Sequence, residues 1–125
     1  MHVVEDTGPV IYVVDDDEAV RDSLNLLLES YGMAVEDYAS TEEFVRGHVP
    51  GRTACLILDQ HLPGTSGLDF LAAQDGALAE LPVIMINGRG DLAIRARAEQ
   101  LGVRAFLDKP VTEEPLLASI RQALR

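Results

Sequence analysis

Apolar positions along the chain follow two alternating patterns. Short unbroken runs, VIYVV at 10–14, CLIL at 55–58 and VIMI at 83–86, are too short for helices and too continuous for half-exposed strands. They read as strands buried on both faces. Residues 33–38 and 103–107 read as two further strands. Between the runs, apolar residues recur at helical spacing. Val20, Leu24, Leu27, Leu28 and Tyr31 form one face of a first helix that Gly32 stops. Ser40 and Glu43 make a capping box that opens a short second helix to about residue 47. Leu68, Leu71 and Ala72 mark a third over 67–74, before a turn signalled by Asp75 and Gly76. Asp91 is placed to cap a fourth that runs to Leu101 and stops at Gly102. Thr112 is placed to cap a fifth, with Leu116, Leu117, Ile120 and Leu124 on its inner face. Five strands alternating with five helices predict an α/β fold: a doubly wound parallel sheet with right-handed crossovers and helices on both faces.

Composition narrows the picture. A chain of 125 residues is expected to form one domain over 1–125, with residues 1–9 a flexible lead punctuated by Gly8 and Pro9. The lone cysteine, Cys55, lies inside an apolar run and reads as inert core. Ten Lys and Arg against 21 Asp and Glu give a formal charge of −11, which opposes direct contact with nucleic acid or an anionic membrane and favours a cation or a basic partner. No apolar span approaches 18 residues and no basic leader precedes an apolar stretch, so the cytoplasm is the expected location.

The chemistry gathers at strand ends. In open α/β sheets ligands bind at the carboxyl ends of the strands. There the pattern places Asp15 and Asp16 after the first strand and Asp59 after the third, with Pro63, Gly64, Ser66 and Gly67 breaking the chain behind it. Asn87 follows the fourth strand and Lys109 the fifth. Three neighbouring carboxylates raise one another's pKa and cannot all stay ionised without compensation. A divalent cation together with Lys109 resolves that conflict, and an all-oxygen donor set suits Mg²⁺. Asp59 then reads as a nucleophile toward phosphorus, forming an aspartyl phosphate, with Asp15 and Asp16 on the metal. The bland alternative makes the acidic pair a helix cap and Lys109 its counter-ion.

With these residues in order, the chain resembles the receiver domain of bacterial two-component response regulators over about residues 10–124. The resemblance rests on VVDDDE at 13–18, LDQHLPGTSG at 58–67, NGRGD at 87–91 and FLDKP at 106–110. It looks most like the receivers that precede LuxR-type DNA-binding domains in nitrogen-fixation regulators. The resemblance implies a flavodoxin-like sheet of order 2-1-3-4-5 and a module, not an enzyme, that takes a phosphoryl group on Asp59 from a histidine kinase. It implies Mg²⁺ held by Asp15, Asp16, Asp59 and the main-chain carbonyl of His61, with Lys109 on the phosphoryl oxygens. It further implies a cis bond before Pro110, an aromatic reporter of activation at Phe106, and tuning of phosphate lifetime by His61 and Arg89. The face of the fourth helix, fifth strand and fifth helix, with Arg95, Arg97, Arg104, Asp108 and Glu113 around Ala93 and Ala98, is where such receivers form homodimers or dock partners.

One position departs from the family's pattern. Asn87 stands where the family carries the Thr or Ser whose hydroxyl draws the following loop toward the phosphate. Phosphate uptake with incomplete switching is therefore expected. A second reading is a pseudo-receiver that binds a partner without being switched. A third, a metal-dependent phosphohydrolase, lacks the acid-base carboxylate wanted two residues after the nucleophile, because His61 stands there. His2 and His48 read as surface residues.

Overall fold

The computed structural model describes residues 8–74, 76–88 and 92–125. The expectations that rest on residues 1–7 of the lead, His2, Asp75, Arg89 and the Asp91 cap lie outside the described residues. Among the described residues ten elements follow one another: β1 (Val10–Val14), α1 (Glu18–Ser30), β2 (Ala34–Tyr38), α2 (Thr41–Gly47), β3 (Ala54–Asp59), α3 (Gly67–Ala73), β4 (Val83–Asn87), α4 (Leu92–Gln100), β5 (Ala105–Asp108) and α5 (Glu113–Ala123). The strands form one parallel sheet in the order β2-β1-β3-β4-β5. The sequence of β1 outward to β2 on one side and to β3 on the other is the doubly wound arrangement.

Strict alternation inside the apolar runs explains the two-sided core. Val10, Tyr12 and Val14 join Leu56, Leu58, Val83 and Met85 on one face, covered by Phe44, Leu68, Phe70 and Ala98 from α2, α3 and α4. Ile11, Val13, Cys55, Ile57, Ile84 and Ile86 face the other way, under Leu24 and Leu28 of α1 and Leu116, Leu117 and Ile120 of α5. Every residue of β1, β3 and β4 is buried, because both faces of a central parallel strand meet helices. β2 and β5, the edges, are only partly covered.

Helix starts follow the capping chemistry. Asp17 accepts the Ala19 amide at 2.9 Å to open α1, and Ser40 accepts the Glu43 amide at 3.1 Å to open α2. The Glu43 carboxylate reaches back to the amide of Ala39 at 3.3 Å, one residue short of the cap itself. Gly32 and Gly102 carry the positive φ, 79° and 83°, that ends α1 and α4.

Several sequence expectations shift. Tyr31, read as part of the inner face of α1, is its C-cap and is exposed, with its hydroxyl on the Glu113 carboxylate. The helix ends there, so the i, i+3 spacing from Leu28 no longer points at the core. In α3 the buried residues are Gly67, Leu68 and Phe70, while Ala72 is exposed. Ala98 lies in the core rather than on the outer face of α4. Thr112 sits at the N-cap of α5 without making a side-chain cap bond. His48 is half-buried, its ring stacked on Phe44 at 4.2 Å and 12°.

Phe44 holds α2 to the sheet. It is fully buried, meets Tyr12, Tyr38 and Phe70 edge to face at 5.4, 5.7 and 6.3 Å, and is one of only two buried residues of the helix. Phe44→Ala is expected to cost about 3–5 kcal/mol, the range for deleting a buried aromatic. A urea titration checks this, and a loss below about 1 kcal/mol would show that α2 does not depend on the ring.

Candidate functional site

The carboxyl ends of β1, β3, β4 and β5 carry the polar groups of the site. Asp15 follows β1 and is fully buried. Its amide donates to the Tyr38 carbonyl at 3.2 Å, and its Oδ1 accepts the Asp17 amide at 2.9 Å, so the acidic turn is fixed by its own backbone. Asp59 closes β3 at 1% exposure, its Oδ1 accepting the His61 amide at 3.2 Å. Asp16 stays exposed. One carboxylate oxygen from each of Asp15, Asp16 and Asp59 lies within 4.8 Å of the others.

Lys109 is the counter-charge. Its Nζ stands 3.3 Å from Asp15 Oδ2 and 3.4 Å from Asp59 Oδ1. Its amide donates to the Asn87 carbonyl at 2.8 Å, and the Lys109-Pro110 peptide is cis. Asn87 ends β4 fully buried, opposite Asp108 in the register. His61 is exposed. Phe106, on β5, is partly buried against the first core cluster, with the Arg95 guanidinium 4.7 Å over its ring.

The predicted set of Asp15, Asp16, Asp59, Asn87 and Lys109 is thus brought to one edge. Two residues that contact this set were not singled out from sequence. Arg21 of α1 donates through Nη1 to the Asp15 carbonyl at 2.7 Å and through Nε to Asp37 Oδ2 at 3.0 Å, joining α1, β1 and β2 behind the acidic pair. Gln60, next to the central aspartate, is buried rather than turned to solvent. A lone Arg one turn into a helix and a Gln in a loop carry no pattern that marks such roles. Gly67 does more than break the chain. A Cβ there would lie 2.6 Å from the Asp59 carbonyl oxygen, so only glycine lets α3 start against the site. An open cavity of about 350 Å³ lies at the other end of the sheet, lined by Tyr12, His48 and Leu81 among others and by none of the three aspartates.

The electrostatics follow from burial and from the unequal count of charges. Burial, then the neighbouring Asp15 carboxylate, push the Asp59 pKa up, against the opposing pull of the His61 amide and Lys109. For Lys109, burial lowers the pKa, but Asp59 and Asp15 together outweigh it and the net direction is up. Two buried carboxylates and an exposed third, all oxygen donors open to solvent on one side, fit a hard divalent cation that keeps some of its waters.

Comparison with known proteins gives one result throughout. The response regulator receiver domain family model matches residues 11–121. The transcriptional regulatory protein FixJ of Azorhizobium caulinodans is 39% identical over 114 residues, which are 91% of this chain and 54% of that protein. The response regulator protein TodT of Pseudomonas putida is 38% identical over 122 residues, 98% of this chain and 54% of TodT. The solved structure of the response regulator StyR superposes with a TM-score of 0.85 at 36% identity, covering 93% of this chain and 59% of that one. The chain spans about half the length of the curated relatives it matches.

The raised Asp59 pKa has a signed consequence. A carboxyl group whose folded pKa exceeds its unfolded value makes the folded chain bind more protons, so stability falls as pH rises from the ordinary carboxylate value through the raised one. Above that raised value, without divalent metal, the full cost of ionised Asp59 is present. Asp59→Asn is expected to raise the urea midpoint at pH 7 in EDTA and to flatten the pH profile on the acid side. A variant less stable than the parent at pH 7 would mean that the Lys109 and His61 contacts outweigh the burial of the charge.

Proposed function

The chain belongs to the response regulator receiver domain family of two-component systems, and on that premise we propose that it is a phosphoacceptor module charged on Asp59 by a histidine kinase. The observation that carries this reading is the convergence of Asp15, Asp16 and Asp59 with the Lys109 ammonium at the end of the central strands. Ionised Asp59 offers an oxygen to the phosphorus of the donor. A new O–P bond forms, the bond from phosphorus to the donor's imidazole nitrogen breaks, and the imidazole leaves with the electron pair. Lys109 lies where the transferred oxygens gather charge, and the His61 amide holds Asp59 Oδ1 so that the other oxygen remains for attack. Asp15, Asp16, Asp59 and the carbonyl of His61 would hold Mg²⁺, which supplies charge neutralisation for the phosphoryl oxygens.

The output follows from the elements around Lys109. Asn87 and Phe106 sit on the two strands that carry the site toward α4 and α5. We assign α4, β5 and α5 as the surface controlled by phosphorylation, serving a homodimer or a partner. It presents Arg95, set 3.9 Å from Asp108, and Leu92, which is 84% exposed at the start of α4. Arg97 turns elsewhere, pairing with Asp69 of α3 at 2.8 Å. Direct nucleic-acid binding by this domain is disfavoured by its charge of −11. No helix among the described residues is long and apolar enough to cross a membrane, in keeping with action in the cytoplasm. No observation favours the phosphorylation-independent binding module, which enters as an outcome of the test.

Intact mass after incubation with acetyl phosphate and Mg²⁺ is expected to show one added phosphate that is lost in Asp59→Asn. No gain in the parent chain would replace this reading with the phosphorylation-independent module. The amide spectrum of the charged chain is expected to shift weakly at Phe106, and Asn87→Thr to enlarge that shift. An Asn87→Thr chain with no larger change would show that Asn87 does not limit switching.

A further inference from the structure

Helix α3 has seven residues, too few to stand without help from its ends. The amides of its first turn have no partner within the helix and need acceptors elsewhere. Gly67 donates to the Gln60 carbonyl at 3.0 Å, Leu68 to the Gln60 side-chain Oε1 at 2.9 Å, and Asp69 to Ser66 Oγ at 3.1 Å. Two of the three are therefore taken by one residue, Gln60. The Gln60 amide in turn donates to the Ile86 carbonyl of β4 at 2.9 Å. Gln60 is 6% exposed and Leu68 1%, so water does not replace the side-chain bond.

This places one residue at the junction of β3, β4 and α3 and closes the six residues between Gln60 and Gly67 into a clasped loop. His61, which holds Asp59 Oδ1, is the first residue of that loop. The close approach of Gly67 to the Asp59 carbonyl leaves the clasp no slack. We propose that Gln60 is a positioning residue for phosphoryl chemistry: its side-chain oxygen, fixed on the Leu68 amide, sets the loop that presents His61 to Asp59 and to the metal. The inference rests on the function proposed above and adds to it a residue whose own atoms touch neither metal nor phosphate. The chemistry at position 60 is specific. A side chain of this length must end in an acceptor; methionine fills the space without one, asparagine falls a methylene short, and glutamate keeps the oxygen while adding charge.

The test uses the chain as it stands, titrated with Mg²⁺ and followed by its amide spectrum, with acetyl phosphate labelling run in parallel. Gln60→Met is expected to weaken Mg²⁺ binding about two- to tenfold, the scale of one lost hydrogen bond, and to slow labelling in step. Gln60→Asn reads the same point if the methionine chain does not fold. Gln60→Glu is expected to bind Mg²⁺ at least as tightly as the parent. Ser66→Ala removes the third first-turn bond without touching Gln60, and is expected to leave Mg²⁺ affinity within about twofold. Parent-like affinity in Gln60→Met, no recovery in Gln60→Glu, or an equal loss in Ser66→Ala would each overturn the inference, the last by reducing it to helix stability. A parent chain that binds Mg²⁺ but takes no phosphate would instead remove the proposed function, while the Mg²⁺ titrations still decide the role of Gln60.

Discussion

Two carboxylates, Asp15 and Asp59, are buried at the end of an otherwise apolar sheet with one ammonium between them. Burying a charge is costly unless it is paired, and pairing two with one leaves a deficit. The rest of the site is arranged around that deficit. Main-chain amides of Asp17 and His61 each take one carboxylate oxygen. The Arg21 guanidinium sits behind the pair, on the Asp15 carbonyl and the Asp37 carboxylate. What these donors do not compensate appears as the raised pKa of Asp59, pushed up by its burial and by the Asp15 carboxylate.

The apolar sheet makes the deficit possible. Because β1, β3 and β4 are buried on both faces, nothing along them competes for the charges at their ends. Parallel pairing in register brings those ends level, so residues far apart in sequence arrive at one edge without long side chains. Lys109, 50 residues after Asp59 in the numbering, reaches it at 3.4 Å because β4 and β5 carry it there. Fold and site are in this sense one construction: the helices that cover the sheet also raise the cost of leaving its carboxylates uncompensated.

This is also why so much was legible from the sequence. Fully apolar runs of four or five residues, each ending in a polar group, identify central strands and their functional ends together, as at Asp15, Asp59 and Asn87. Side-chain roles that depend on where a short helix begins or ends were not legible. Tyr31 left the core because α1 stopped at Ser30, and in α3 Phe70 is buried while Ala72 is exposed. Ala98 and Arg97 were placed on an outer face, yet one packs into the core and the other turns to Asp69. The weak amphipathic pattern of LAIRARAEQ does not fix how α4 is rotated. Arg21 and Gln60 escape the pattern for a different reason: the bonds that tie them to the site, Arg21 to the Asp15 carbonyl and Gln60 to the Leu68 amide, are to backbone, and a backbone partner leaves no trace in residue identity.

If Asp59 is phosphorylated, its carboxylate becomes an acyl phosphate of about two negative charges, so about one further negative charge enters a site already short of positive charge. Two separate requirements then arise. Uptake depends on how many cations and donors are in place beforehand, and Lys109, the His61 amide and the three carboxylates are positioned by β1, β3, β5 and the clasped loop whatever stands at position 87. Switching depends on whether some neighbour gains a better bond by moving, since a ligand shifts an equilibrium only by its differential affinity for the two states. On the function proposed for this chain the neighbour is Asn87, buried at the end of β4 with its main-chain carbonyl bound to the Lys109 amide. A longer amide reaches the new oxygens with less displacement of the following loop than a short hydroxyl needs, so it gains less by moving. The same residue can therefore leave the chemistry intact and weaken the switch.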